Sequence, residues 1–254
     1  MRVRQPAVAG RFYTGDSYEL AEEVAGYLAA VPQGGAQPPG IIVPHAGHIY
    51  SGPVAAHAYA TLRSTPRVVL AGPAHFIAVD GMVAPTTQMW RTPLGDVEID
   101  QEAIAAAGLP QDDYPHAPEH SLEVQLPFLQ VQLEPGWRLV PLLVGRADPE
   151  MVADVLQGFL ADPDSTVVLS TDLSHYLTYE QARARDAVTA GHIVSRAWRE
   201  IDDHDACGAY PLRGLLLAAQ RLDMPVRLLD LHNSGDTAGP HDRVVGYGAF
   251  TVGL

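Results

Sequence analysis

Four short apolar runs set the frame for this chain: Ile41-Ile42-Val43, Val68-Val69-Leu70, residues 139–144 and Val167-Val168-Leu169. Each is rich in β-branched or aliphatic residues and lacks the polar alternation of a half-exposed strand, so each reads as a strand buried on both faces. Between them lie stretches with helical spacing. Residues 17–30 place Leu20, Val24, Tyr27 and Leu28 on one face. Residues 53–62, 102–107 and 149–160 read as helices too, as does 121–133, where Pro127 should kink the helix or mark a new start. A long helix is expected over 179–198, and another opens at Pro211. Residues 97–99, 226–231 and 243–252 read as further strands, and the Pro/Gly-rich 32–40 as loop. Strands alternating with helices predict an α/β fold: one domain over 1–254, with a mainly parallel central sheet flanked by helices.

Composition narrows the function classes. Sixteen Lys and Arg against 30 Asp and Glu give a net charge of −14, which repels phosphate backbones and argues against a nucleic-acid partner. The single cysteine allows no internal disulfide. The first residues lack the apolar core of a signal peptide, and no apolar run approaches the ~20 residues of a membrane span. A cytoplasmic protein without membrane attachment is expected.

The loops after the strands carry the chemistry. The first strand runs into Pro44-His45-Ala46-Gly47-His48, the second into Gly72-Pro73-Ala74-His75, and the fourth into Ser170-Thr171-Asp172-Leu173-Ser174-His175. The carboxyl ends of parallel strands form the ligand crevice of such sheets. With 11 histidines in 254 residues, three such coincidences would arise by chance on the order of 1–2% of the time. Neutral imidazole is the commonest metal ligand, and its second nitrogen needs an orienting partner. Asp172, three residues before His175, can serve either as that partner or as a carboxylate set back from the ion. His48, three after His45, reads either as a solvated turn residue, the first choice, or as pointing at the site, and His57 reads as a packed helix histidine.

Cys207 stands either as a ligand or as a small buried hydrophobe. It lies just ahead of a helix N-terminus, whose dipole should favour a thiolate, and Gly208 allows close backbone approach. Glu123 and His120 share a helical face if that helix starts early enough; the alternative is an ordinary polar first turn.

Pro6-Ala7-Val8-Ala9-Gly10-Arg11-Phe12-Tyr13, Pro44-His45-Ala46-Gly47-His48-Ile49-Tyr50-Ser51-Gly52, Gly72-Pro73-Ala74-His75, Glu119-His120-Ser121-Leu122-Glu123 with Leu126-Pro127-Phe128, Ser170-Thr171-Asp172-Leu173-Ser174-His175-Tyr176 and Cys207-Gly208 occur in that order. Together they resemble the Memo family, protein B of the AmmeMemoRadiSam system. The resemblance implies a fold like that of class III extradiol dioxygenases. It also implies one mononuclear metal ion on His45, His75 and Cys207, with His175 beside it as acid/base. Thiolate would stand where the dioxygenases use a carboxylate, which softens the site toward Cu(I) or Zn(II) while Fe(II) stays feasible; the likeness to the dioxygenases favours Fe(II), with Cu an alternative and Zn the runner-up.

The expectation is a metal-dependent oxidoreductase or dioxygenase-like enzyme acting on an unidentified small molecule. Catalytic roles would fall to His175, Asp172, Glu123 and His120, with Asp172 and Glu123 setting the protonation of His175. Two alternatives stand beside it: a peptide- or protein-binding module that keeps a degenerate pocket, and a zinc-dependent hydrolase. Family context implies an AMMECR-type protein and a radical SAM enzyme as partners.

Overall fold

All four apolar runs become strands of one sheet in the computed structural model, which describes residues 2–35 and 37–254. The chain opens with β1 (Val3–Arg4), α1 (Ser17–Ala29), β2 (Gly40–Val43), α2 (His48–Tyr59), β3 (Arg67–Pro73) and β4 (Met82–Val83). The middle holds β5 (Met89–Thr92), β6 (Gly95–Glu98), α3 (Gln101–Ala107), α4 (Leu126–Gln132), β7 (Arg138–Val144) and α5 (Pro149–Leu160). Then come β8 (Ser165–Ser170), β9 (His175–Leu177), α6 (Tyr179–Val194), α7 (Ala209–Arg221), β10 (Val226–Asn233) and β11 (Val244–Val252).

The large sheet has eight strands in the order β10-β11-β2-β8-β3-β7-β4, with β9 paired to β11. Its centre, β2-β8-β3-β7, is parallel, and these strands are buried almost throughout. The flanks are antiparallel: β11 against both β2 and β10, and β4 against β7. The sheet is therefore mixed, with the parallel part confined to the four apolar runs. A smaller sheet, β1-β5-β6, stands apart. Helices cover the faces of the large sheet, and one connected set of buried apolar side chains fills the interior.

Local chemistry explains most boundaries. Asp16 caps α1 by accepting from the amides of Tyr18 and Glu19, and Leu20, Val24 and Leu28 then bury one stripe. Asp100 caps α3, and Gly108 ends it in the left-handed region (φ 65°). Thr178 and Gln181 form a capping box at the start of α6.

Three expected boundaries need correction. α2 begins at His48 rather than at residue 53, because Gly47 provides the cap and the Ser51 hydroxyl holds the Ala46 carbonyl. α6 ends at Val194, since Arg196 sits at φ 56° and breaks the run before the 3₁₀ turn Trp198–Glu200. Residues 121–133 split into a 3₁₀ turn, Glu123–Gln125, and α4, where Pro127 falls in the first turn; the proline marks a new start. Ala36, within the loop expected over 32–40, lies outside the described residues.

Candidate metal centre

β2, β3 and β8 run parallel, so the segments leaving their carboxyl ends emerge side by side. His45 follows β2, His75 follows β3, and Asp172 follows β8. His120 comes from the segment ahead of the Glu123–Gln125 turn. One nitrogen from each of His45, His75 and His120 lies within 4.8 Å of the other two. They form one wall of a cavity of about 790 Å³ that also contains Asp172, His175 and Cys207.

The hydrogen bonds fix which nitrogens are free. Ser170 Oγ donates its one proton to the Ser121 carbonyl (2.6 Å). It can therefore only accept from His45 Nδ1 (2.9 Å), which must carry the hydrogen. That leaves His45 Nε2 with an unprotonated lone pair. Burial, reinforced by the neighbouring His75 and His120 rings, pushes the His45 pKa well below its ordinary value, so this ring is neutral.

Glu119 does the same for His75. Burial alone would raise this carboxyl, but the His120 and His75 rings and the Ser121 amide outweigh it and hold Glu119 well below the carboxylate range. An ionised carboxylate only accepts, so His75 Nδ1 donates to it (3.0 Å), and Nε2 is the nitrogen left for an ion. The backbone amides of His75, His120 and Ser121 donate to the same group. His120 stacks on His75 at 4.8 Å between ring centroids. Its buried Nδ1 lies 3.2 Å from Glu119 Oε1, off the line of an ideal hydrogen bond.

Cys207 comes from the far end of the chain. Its Sγ lies 3.2 Å from His45 Nε2, so the thiol hydrogen points at the lone pair left free by Ser170. Burial, with the Asp172 charge adding to it, pushes the thiol pKa up to about 12. The helix N-terminus predicts a thiolate; here desolvation wins, and without an ion the sulfur keeps its proton. Gly208 is needed behind it, because a Cβ there would come within 2.7 Å of Thr171.

An ion fits this donor set. His45 and His75 each have Nδ1 held by a partner, which leaves Nε2 for an ion, the usual arrangement of metal-ligating histidine. His120 adds a third imidazole to the cluster, and the Cys207 thiol proton occupies a place an ion can take. The third nitrogen of the cluster is thus His120, for which the motifs predict only a catalytic role. Cys207 touches His45 but stands outside the three-histidine group.

The remaining expected residues divide. Asp172 is buried and accepts from the His45 amide (2.7 Å); burial raises its pKa while His175 draws it down. It thus braces His45 as well as facing His175. His175 is exposed in β9 on the cavity wall. Glu123 points away: its carboxylate takes the Arg4 guanidinium (2.7 Å), the Ala7 and Val8 amides and the Tyr13 hydroxyl. The expectation that it tunes His175 fails, because its acceptor sites are committed to the N-terminal segment. The helix does not reach back to residue 120, so Glu123 and His120 face different ways. His48 is buried rather than solvated, with Nε2 on the Val124 carbonyl (2.9 Å).

Sequence reasoning assigns no role to Glu119, Ser170 or Gln125, which also bonds Ser170 Oγ. Glu119 has a visible signal, a carboxylate directly before His120. Ser170 has none, since its importance comes from pairing across the sheet.

Among the described residues, no helix is long and apolar enough to cross a membrane. The family model for Memo-like proteins matches residues 4–251. A MEMO1 family protein of Methanosarcina mazei is 35% identical, with 99% of this chain and all of that protein aligned. One from Methanopyrus kandleri is 36% identical over 97% of this chain and 98% of its own length. One from Aquifex aeolicus is 35% identical with the same coverage. With end-to-end similarity and the motif residues gathered around one cavity, this chain belongs to the Memo-like protein family.

Proposed function

We propose that the protein is a metal-dependent oxidoreductase that uses one ion, Fe(II) first and copper second, at the histidine cluster. The observation that carries the reading is the convergence of His45, His75 and His120 within 4.8 Å, with Cys207 Sγ 3.2 Å from His45. His45 and His75 would hold the ion, with His120 or Cys207 completing the set. A bound ion would supply Lewis acidity and, for iron or copper, electron transfer.

The chain's own residues do the rest. Glu119 and Ser170 keep two imidazoles in the ligating tautomer. His175 reaches solvent and the cavity together, so it can carry protons between them, with Asp172 as the buried carboxyl that shares its charge. The Tyr247 phenol, pushed up by burial and then by the Asp172 charge, stays protonated and can donate to a bound molecule. An AMMECR-type protein and a radical SAM enzyme belong to this reading as partners.

The test is metal analysis after anaerobic purification, with electron paramagnetic resonance of the same samples. One redox-active ion per chain, lost in His45→Ala and halved or worse in Cys207→Ser, is the expected result. Stoichiometric zinc with silent spectra, once zinc acquired during expression is excluded, would turn the assignment to hydrolysis. Unchanged metal content in both variants would end it.

A further inference from the structure

Every one of the chain's 16 basic residues is arginine, and more than half of these sit in ion pairs with carboxylates. Arg243 does not. It lines the metal cavity, where it is the one basic side chain besides histidine among the described residues. Its guanidinium carbon lies 4.7 Å above the ring of Tyr176.

That pairing is built by the backbone. β9 lies antiparallel to β11, with Val245 opposite His175 and Val244 opposite Leu177. The register shift between Val244 and Val245 coincides with Tyr176 at φ 59°, a left-handed conformation a tyrosine rarely adopts. The strained residue turns its ring outward, 64% exposed, beneath the arginine. A stacked guanidinium loses less freedom on binding and presents its edge, the face that grips a carboxylate with two parallel bonds. The same two strands carry His175, so an anion held here sits beside the proton-handling residue.

The remaining lining selects the kind of anion. Asp172 and Asp203 face the same space, and the whole chain carries −14. At Arg243 a dianionic phosphate would find one guanidinium for its two charges, whereas a monoanion is matched by the single arginine. Phe12, Tyr50 and Tyr176 supply aromatic surface, which suits a flat molecule.

We propose that Arg243, stacked on Tyr176, is the anion-recognition point of the cavity and that its ligand is a planar, aromatic-type monocarboxylate. The proposal rests on reading the cavity as a substrate pocket beside a metal ion, but its binding chemistry does not require the ion.

Isothermal titration calorimetry with 2-naphthoate, the neutral 2-naphthamide and 2-naphthyl phosphate tests it. Both chelator-treated and ion-loaded protein are used, as wild type, Arg243→Gln and Arg243→Lys. Wild type should bind the carboxylate about tenfold or more tighter than the amide. Arg243→Gln should erase that preference without changing affinity for the amide, and Arg243→Lys should keep part of it. Loss of preference in wild type, a preference that survives Arg243→Gln, or tighter binding of the phosphate would overturn the proposal. If chains that take up no metal still show the arginine-dependent preference, the metal reading falls and this one stands. Metal-binding chains without the preference give the reverse.

Discussion

Ser170 holds a single hydroxyl hydrogen, and the acceptor of that hydrogen decides which nitrogen of His45 is protonated. Because it goes to the Ser121 carbonyl, the imidazole beside it must donate, and its other nitrogen must be bare. Glu119, being ionised, likewise holds a hydrogen on Nδ1 of His75. Glu119→Ala should therefore weaken metal binding by roughly 10–100-fold; competition with a chelator of known affinity measures it on folded protein, and an unchanged affinity would remove Glu119 from this role. A second consequence concerns acid. Burial pushes His116 down to about 3 from the ordinary 6.5, with Arg4 adding to the effect. The unfolded chain then binds the extra proton between those values, so stability is complete above about pH 6.5 and falls as pH drops toward 3. The slope is up to about 1.4 kcal/mol per pH unit for this one group. Thermal melts from pH 7 to 4.5 should show the loss, with a shallower slope in His116→Gln; parallel slopes would refute the assignment.

At the scale of elements, the N-terminal segment is tied down by one buried ion pair. Arg4 in β1 reaches Glu123 in the 3₁₀ turn at 2.7 Å, and both side chains are almost fully buried. Its other donors take the His116 and Glu119 carbonyls, so the pair braces the loop that delivers Glu119 and His120. Arg4→Ala leaves the Glu123 charge uncompensated and should cost about 3–5 kcal/mol in urea unfolding; a loss below about 1 kcal/mol would show that water repairs the site. The start of α7 is equally constrained. Gly208→Ala drives a methyl group into Thr171, and overpacking of this kind costs about 1–3 kcal/mol. The displacement falls on the residue beside Cys207, so the cysteine's contribution to metal retention should drop with it.

Those elements also show which parts of the fold could be read in advance. β2, β3, β7 and β8 announce themselves because a strand buried on both faces must be apolar at nearly every position. α5 matches its expected limits at both ends because Asp148-Pro149 starts it and the apolar stripe runs to Leu160. β1 and β4 are two residues long, and β9 consists of His175, Tyr176 and Leu177. Nothing in such segments favours extended structure by itself; their partners across the sheet impose it.

For the molecule as a whole, the three histidines lie on segments that only the folded sheet brings together, so an ion that binds them binds the native state alone. Saturation at a hundredfold excess over Kd should add about 2.7 kcal/mol. For a chain of this size that is roughly 5–11 °C in Tm, reversed by a chelator and absent in His45→Ala. Differential scanning calorimetry with and without Fe(II) under anaerobic conditions checks it, and an identical Tm would deny the linkage.

The chain's own order of residues determined the α/β class, the parallel strands at its centre and the place where chemistry would gather, because burial patterns and strand-end loops are short-range properties. It also supplied the family motifs and, through them, His45, His75 and Cys207. Tertiary structure decided the rest. It brought His120 into the cluster, sent Glu123 to Arg4, kept the Cys207 thiol protonated, and chose the tautomers through Ser170 and Glu119. These depend on contacts such as Cys207 with His45, 162 residues apart, and on the loss of water around them. Neither pairing at such separation nor desolvation is written in any local stretch of sequence.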